Sequence, residues 1–70
     1  MRRLTTERVA QDNPHMDWAA LRYRDDGVAQ DLDPWADQRG YRQVRTYTDG
    51  QYEATYGYHV PTGEWHLWAN

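Results

Sequence analysis

The residues with the most evident capacity for chemistry are His59, Glu64 and His66, close together near the end of the 70-residue chain. A two-residue turn at Thr62-Gly63 would set His59 directly opposite His66 on neighbouring strands, with Cβ atoms ~4.5–5.5 Å apart. Glu64 would lie on the adjacent diagonal. Two imidazoles and a carboxylate are zinc-ligand types, but a structural site wants four ligands and a catalytic one three plus water. No other His falls within predictable reach, so His59, His66 and Glu64 are a metal candidate only; a solvated strand face is the simpler reading, and no cofactor is expected. The same pair has no nucleophile to activate, because the chain contains neither Ser nor Cys. An enzyme is not expected.

Two further groups suit recognition. Arg39, Arg42 and Arg45 are interleaved with tyrosines, and aromatic rings beside cations on a sheet can stack single-stranded bases. The competing use of those tyrosines is as core, which the scarcity of other large apolar residues favours. Trp35 and Trp68 are the aromatics such a core explains least, and Trp, Tyr and Arg are the residues of protein–protein hot spots. The other group is acidic: Asp25, Asp26, Asp31, Asp33 and Asp37 fall in a stretch without a basic residue. Asp33, and also Asp26, have ready explanations as cap or turn residues. The remaining carboxylates could meet a basic surface and speed encounter with it.

Something must position these groups, and the chain has little with which to do it. Seventy residues make one small domain, with eight Leu and Val and no Phe, so four Trp and six Tyr must supply the core. Each buried aromatic removes ~150–250 Å² from water. Domains of this size often add disulfides, metals or a second subunit. With Cys absent, a homodimer or another partner is the expected supplement. The net charge of −3 argues against a protein whose main task is to neutralise phosphates. No apolar run suits a signal peptide or membrane span, which makes a cytoplasmic protein the default.

The expected fold is α+β: a three-stranded antiparallel sheet, about 41–48, 51–60 and 64–68, packed on one N-terminal helix, about 14–24. Asn13-Pro14 reads as N-cap and first helical residue, and Met16, Ala19, Ala20 and Tyr23 form a helical stripe. The Asp26-Gly27 pair leaves open an alternative in which 21–24 and 28–32 are short strands. Asp33, Pro34 and Gly40 predict a short helical turn near 34–39 carrying Trp35. Residues 1–12 read as a short helix, an edge strand or a flexible arm.

Within the sheet, a two-residue turn at Asp49-Gly50 would pair Tyr47 with Tyr52, Arg45 with Ala54 and Tyr41 with Tyr58. The turn at Thr62-Gly63 would pair Val60 with Trp65 and Tyr58 with Leu67. One face would then carry Tyr41, Tyr47, Tyr52, Ala54, Tyr56, Tyr58, Val60, Trp65 and Leu67. The other would carry Arg42, Val44, Thr46, Glu53, Thr55, His59, Glu64, His66 and Trp68. A one-residue slip at either turn would scramble both faces.

In size, acidity and lack of cysteine the chain resembles the small single-domain proteins that phages encode against host defence, such as anti-CRISPR proteins. That resemblance implies a non-catalytic inhibitor that binds a host nuclease or effector complex and blocks its nucleic-acid site. The expectation is therefore a protein-binding module acting through Asp25, Asp26, Asp31, Asp37, Trp35 and Trp68. The alternative is a single-stranded nucleic-acid module using Arg39, Arg42 and Arg45, and a third reading is metal binding at His59 and His66.

Overall fold

The computed structural model describes residues 3–70. Helix α1 (Thr6–Asp12) is followed by a single 3-10 turn, Trp18–Ala20, and by strand β1 (Arg22–Val28). Two short helices, α2 (Ala29–Leu32) and α3 (Pro34–Gln38), lead into β2 (Tyr41–Thr48), β3 (Glu53–His59) and β4 (Glu64–Ala69). The four strands form one antiparallel meander in the order β1-β2-β3-β4. The α+β class and the antiparallel sheet agree with expectation; the sheet has four strands rather than three.

The extra strand comes from the segment expected to be helix 14–24. Asn13 does not cap a helix there. It closes α1, donating from Nδ2 to Val9 O at 2.8 Å and to Tyr56 Oη at 3.2 Å, and it is fully buried. Asp17 caps only the short 3-10 turn, accepting from Ala19 N. Beyond it, β1 pairs Tyr23 with Tyr47 and Arg24 with Thr46. The helical stripe was outcompeted by an open sheet edge that a local pattern does not contain. Asp26-Gly27 is a bulge in β1 and not a hairpin turn: the register shifts between Asp25 and Gly27, and Gly27 has φ 106°. This bulge and the charges of Arg22, Arg24, Asp25 and Asp26 blunt the outer edge against a further strand.

The helix that covers the first face of the sheet is α1, one of the three forms expected for residues 1–12. Thr5 caps it, its Oγ1 accepting from Arg8 N at 3.2 Å. Leu4 before the cap and Val9 one turn inside it are both buried in one cluster, the arrangement of a hydrophobic staple. For Met1 and Arg2 the flexible-arm alternative lies outside the described residues. Against Leu4, Val9 and Met16 the sheet presents Tyr47, Ala54, Tyr56 and Trp65.

The second face is covered too. α2 and α3 lower Ala29 and Ala36 onto Val44, with Tyr41 and Trp68 packed alongside. α3 starts as its sequence dictates, with Asp33 Oδ1 accepting from Trp35 N at 3.0 Å and Pro34 in the first turn. Residues 28–32, ambiguous in sequence, divide between the end of β1 and α2.

Both hairpins are longer than expected. Thr48 pairs with Glu53 and His59 with Glu64, so each loop holds four residues, 49–52 and 60–63. The register at each hairpin is displaced by two residues from the one expected. Because side chains alternate with period two, a two-residue displacement preserves faces, and most of the expected division survives. The exceptions are the loop residues Tyr52 and Val60, both exposed, and Tyr41, which a register shift between Tyr41 and Val44 carries to the second face.

Candidate functional site

Three places gather the residues that sequence singled out. The first is the outer surface of α2–α3, called the ledge. Its inward residues Ala29 and Ala36 are fully buried, while Leu32 is 52% and Trp35 54% exposed. Val28, at the approach to α2, is also exposed. Trp35 is held in place by its neighbour: the Arg39 guanidinium lies 3.8 Å from the indole centroid, and Arg39 Nη1 donates to Trp35 O at 3.3 Å. Asp31 and Asp37 are exposed on the same two helices. A small cleft between α3 and the strands is lined by Val28, Gln30, Asp37 and Arg42. The ledge thus offers a rigid indole–guanidinium pair, two further apolar side chains and free carboxylates.

Of the other three aspartates of the acidic stretch, Asp33 caps α3 and two are engaged within the sheet. Asp25 Oδ1 accepts from Arg45 Nε at 3.2 Å. Asp26, largely shielded, accepts from the buried Thr46 hydroxyl and pairs with Arg24 Nε at 2.9 Å. Apart from the cap Asp33, the acidic segment is therefore two groups, one that ties β1 to β2 and one that faces outward.

The second place is the far end of the second face. His59 and His66 are not directly opposed: His59 pairs with Glu64, and His66 pairs with Gly57. Their rings nevertheless stack, with centroids 4.8 Å apart and planes 24° from parallel. Three of the four ring nitrogens have partners: His59 Nδ1 meets Thr62 Oγ1 at 2.8 Å, His59 Nε2 meets Arg39 O at 3.1 Å, and His66 Nδ1 meets Tyr41 Oη at 2.7 Å. Among the described residues no group of three His, Cys, Asp or Glu is placed to hold a metal ion. The pair works as an aromatic stack that joins the 60–63 loop to the end of α3.

Trp68 belongs to this face and lies flat over the sheet. A Cβ built on Gly57 would stand 2.2 Å from Trp68 Cζ2, so only glycine lets the indole settle there. Trp68 Nε1 is buried without a hydrogen-bond partner among the described residues. Its place is packing against Tyr41, ring centroids 5.2 Å apart, rather than outward display.

The third place lies on the first face, where Arg45 is. Its guanidinium sits between two rings, 4.4 Å from the Tyr23 centroid and 4.9 Å from that of Trp65. Burial works against the charge, but the hydrogen bonds that the guanidinium makes to Tyr47 and Asp25 outweigh it and hold the pKa above the ordinary arginine value. Arg39 and Arg42 lie on the ledge side, so the three arginines expected to form one nucleic-acid surface are divided between the two faces.

Two anchoring contacts escaped sequence reasoning, those of Tyr56 and of Asp49. Tyr56 is fully buried and donates to Asp12 Oδ2 at 2.7 Å; burial, reinforced by the Asp12 carboxylate, raises its pKa. Asp49 accepts from Tyr52 N at 2.7 Å, Gln51 N at 2.8 Å and Asp17 N at 2.9 Å, and these donors bring its pKa down to about 2. The Asp-Gly pair does signal a turn, but nothing local announces the bond to Asp17. Comparison of the chain with protein families, with curated proteins and with solved structures returned no match.

Proposed function

We propose that this chain is a non-catalytic protein-binding module whose docking surface is the α2–α3 ledge. The observation that carries this reading is Trp35, half exposed yet fixed in place by Arg39. An indole already ordered loses little side-chain freedom on binding, and Trp and Arg are the residues that dominate interface energies. Leu32 and Val28 extend the apolar contact, and Asp31 and Asp37 give it an acidic rim. Such a rim suits a partner with a basic surface and accelerates encounter with it.

The class of partner comes from the resemblance to phage anti-defence proteins: a host nuclease or effector complex, whose nucleic-acid groove is basic. In that reading the ledge occupies the groove in place of a phosphate backbone. Asp25, Asp26 and Trp68 are not part of the docking surface, because each is already used in holding the sheet.

Affinity capture from a lysate of the native host tests the proposal, with the intact chain compared against Trp35→Ala and against Asp31→Arg/Asp37→Arg. The expected result is one basic protein or complex retained by the intact chain, weakened by the double charge reversal and lost with Trp35→Ala. Equal retention by all three proteins overturns the ledge as the docking surface.

A further inference from the structure

On the face of the sheet opposite the ledge, an open cleft of about 550 Å³ lies between the chain before α1 and strands β1, β2 and β4. Its volume falls within the range of small-ligand pockets. Buried Tyr47 and Trp65 form the floor, and Arg3, Thr5, Thr6, Tyr23 and Arg45 form the walls. Although the protein carries net charge −3, the described residues that line this cleft include two guanidinium groups and no carboxylate, the nearest being Asp25 behind Arg45 Nε.

We propose that this cleft binds a nucleoside monophosphate unit, supplied either by a free nucleotide or by the phosphorylated end of a single strand. The donors suit a phosphate. Arg45 gives Nε to Asp25 but carries further N–H groups at its terminal nitrogens, and guanidinium forks match phosphate oxygens in pairs. Arg3 supplies a second guanidinium from the other wall. Thr5 accepts from Arg8 N through Oγ1, which leaves its own hydroxyl proton to donate, and Thr6 adds another hydroxyl.

The ring component rests on Tyr23. The Arg45 guanidinium packs over this ring at 4.4 Å, the Tyr47 ring is tilted against it at 5.2 Å, and the residue is still 55% exposed. A half-exposed tyrosine steadied by a cation is a stacking platform for a base, and stacking of this kind tolerates any base. Phosphate between the two arginines and base on Tyr23 would occupy the cleft from wall to rim.

Titration of the full chain with adenosine monophosphate, followed by backbone amide NMR at low salt, tests the proposal. The expected result is saturable binding with shifts centred on Thr5, Thr6 and Tyr23, weakening as salt rises. Arg3→Gln and Tyr23→Ala, both at exposed side chains and each checked for native circular dichroism, should each weaken binding by about tenfold, the order expected for one stacked base or one lost charge contact. Adenosine and inorganic phosphate alone should bind at least about tenfold more weakly than the nucleotide. A 5′-phosphorylated oligonucleotide distinguishes the sources: affinity above that of the free nucleotide assigns a strand end, and equal affinity assigns the free nucleotide. Absence of binding, affinity unchanged by Tyr23→Ala, or inorganic phosphate binding as well as the nucleotide each overturn the proposal.

Discussion

Beneath α1 the sheet presents Tyr47, Tyr56 and Trp65, all at most 2% exposed, against Leu4, Val9 and Met16. Beneath α2 and α3 it presents Val44, Gly57 and Trp68, covered by two alanines. The polar atoms differ in the same direction. On the first face Tyr56 Oη bonds Asp12 and Asn13, and Tyr47 Oη donates to Leu4 O at 3.2 Å. On the second, Trp68 Nε1 is buried without a partner among the described residues. Large rings with satisfied hydroxyls make the first face the main source of stability, since both apolar area and paired polar groups count toward it. The second face is thin. Its small residues let the short helices lie close to the sheet, and that closeness is what turns Trp35 and Leu32 outward. One face holds the fold, and the other displays a surface.

Truncating the two tryptophans should expose the contrast most strongly. Trp65→Ala removes a side chain at the centre of the first cluster and should cost about 3–5 kcal/mol, a large share of the stability of a domain of this size. Trp68→Ala removes a partly buried indole together with an N–H that has no partner among the described residues, and should cost about 2 kcal/mol. Urea denaturation of the two variants measures the difference; equal midpoints would break the proposed inequality between the faces.

How much of this was legible in the sequence depends on where the deciding interaction lies. The hairpins were visible because Asp49-Gly50 and Thr62-Gly63 are local turn signals, and the faces survived a register displaced by two because the side-chain period is two. α1 was decidable in principle from Leu4 and Val9 flanking the Thr5 cap, a local staple. β1 was legible only through the alternative that made 21–24 a short strand, because its stabilisation comes from pairing with β2, 15 to 26 residues away, while Met16, Ala19, Ala20 and Tyr23 satisfy a helix equally well. The site was legible in part. Trp35 was visible through the Asp33-Pro34 start that displays it. The use of Asp25 and Asp26 inside the sheet was hidden, since both partners, Arg45 and Thr46, are set by register.

Gly57 tests how closely the second face is fitted. Gly57→Ala brings a Cβ to 2.2 Å from the Trp68 ring unless something moves. Overpacking of this kind costs about 1–3 kcal/mol. The same substitution made in a Trp68→Leu background should cost about 1 kcal/mol less, because the obstructing ring is gone, and a double-mutant cycle reads that coupling directly. Additive effects would mean that the indole is free to leave its place over Gly57, and the second face would then be looser than its geometry states.

The smallest effect separates the two halves of the acidic segment. Asp26 is shielded and accepts from the buried Thr46 hydroxyl, whereas Asp31 is exposed on α2 with its carboxylate outward. Asp26→Ala should therefore lower stability by about 1 kcal/mol, moderated because Thr46 keeps its contact with Thr55 at 3.1 Å. Asp31→Ala should stay within about 0.5 kcal/mol of the intact chain. For partner capture the order reverses: Asp31→Ala should weaken it, and Asp26→Ala should leave it unchanged at temperatures where the variant is folded. Four aspartates of one short stretch would thus divide by placement, Asp25 and Asp26 on the sheet acting on stability and Asp31 and Asp37 on the helices acting on recognition. Loss of stability at Asp31 equal to that at Asp26 would remove the distinction on which the ledge depends.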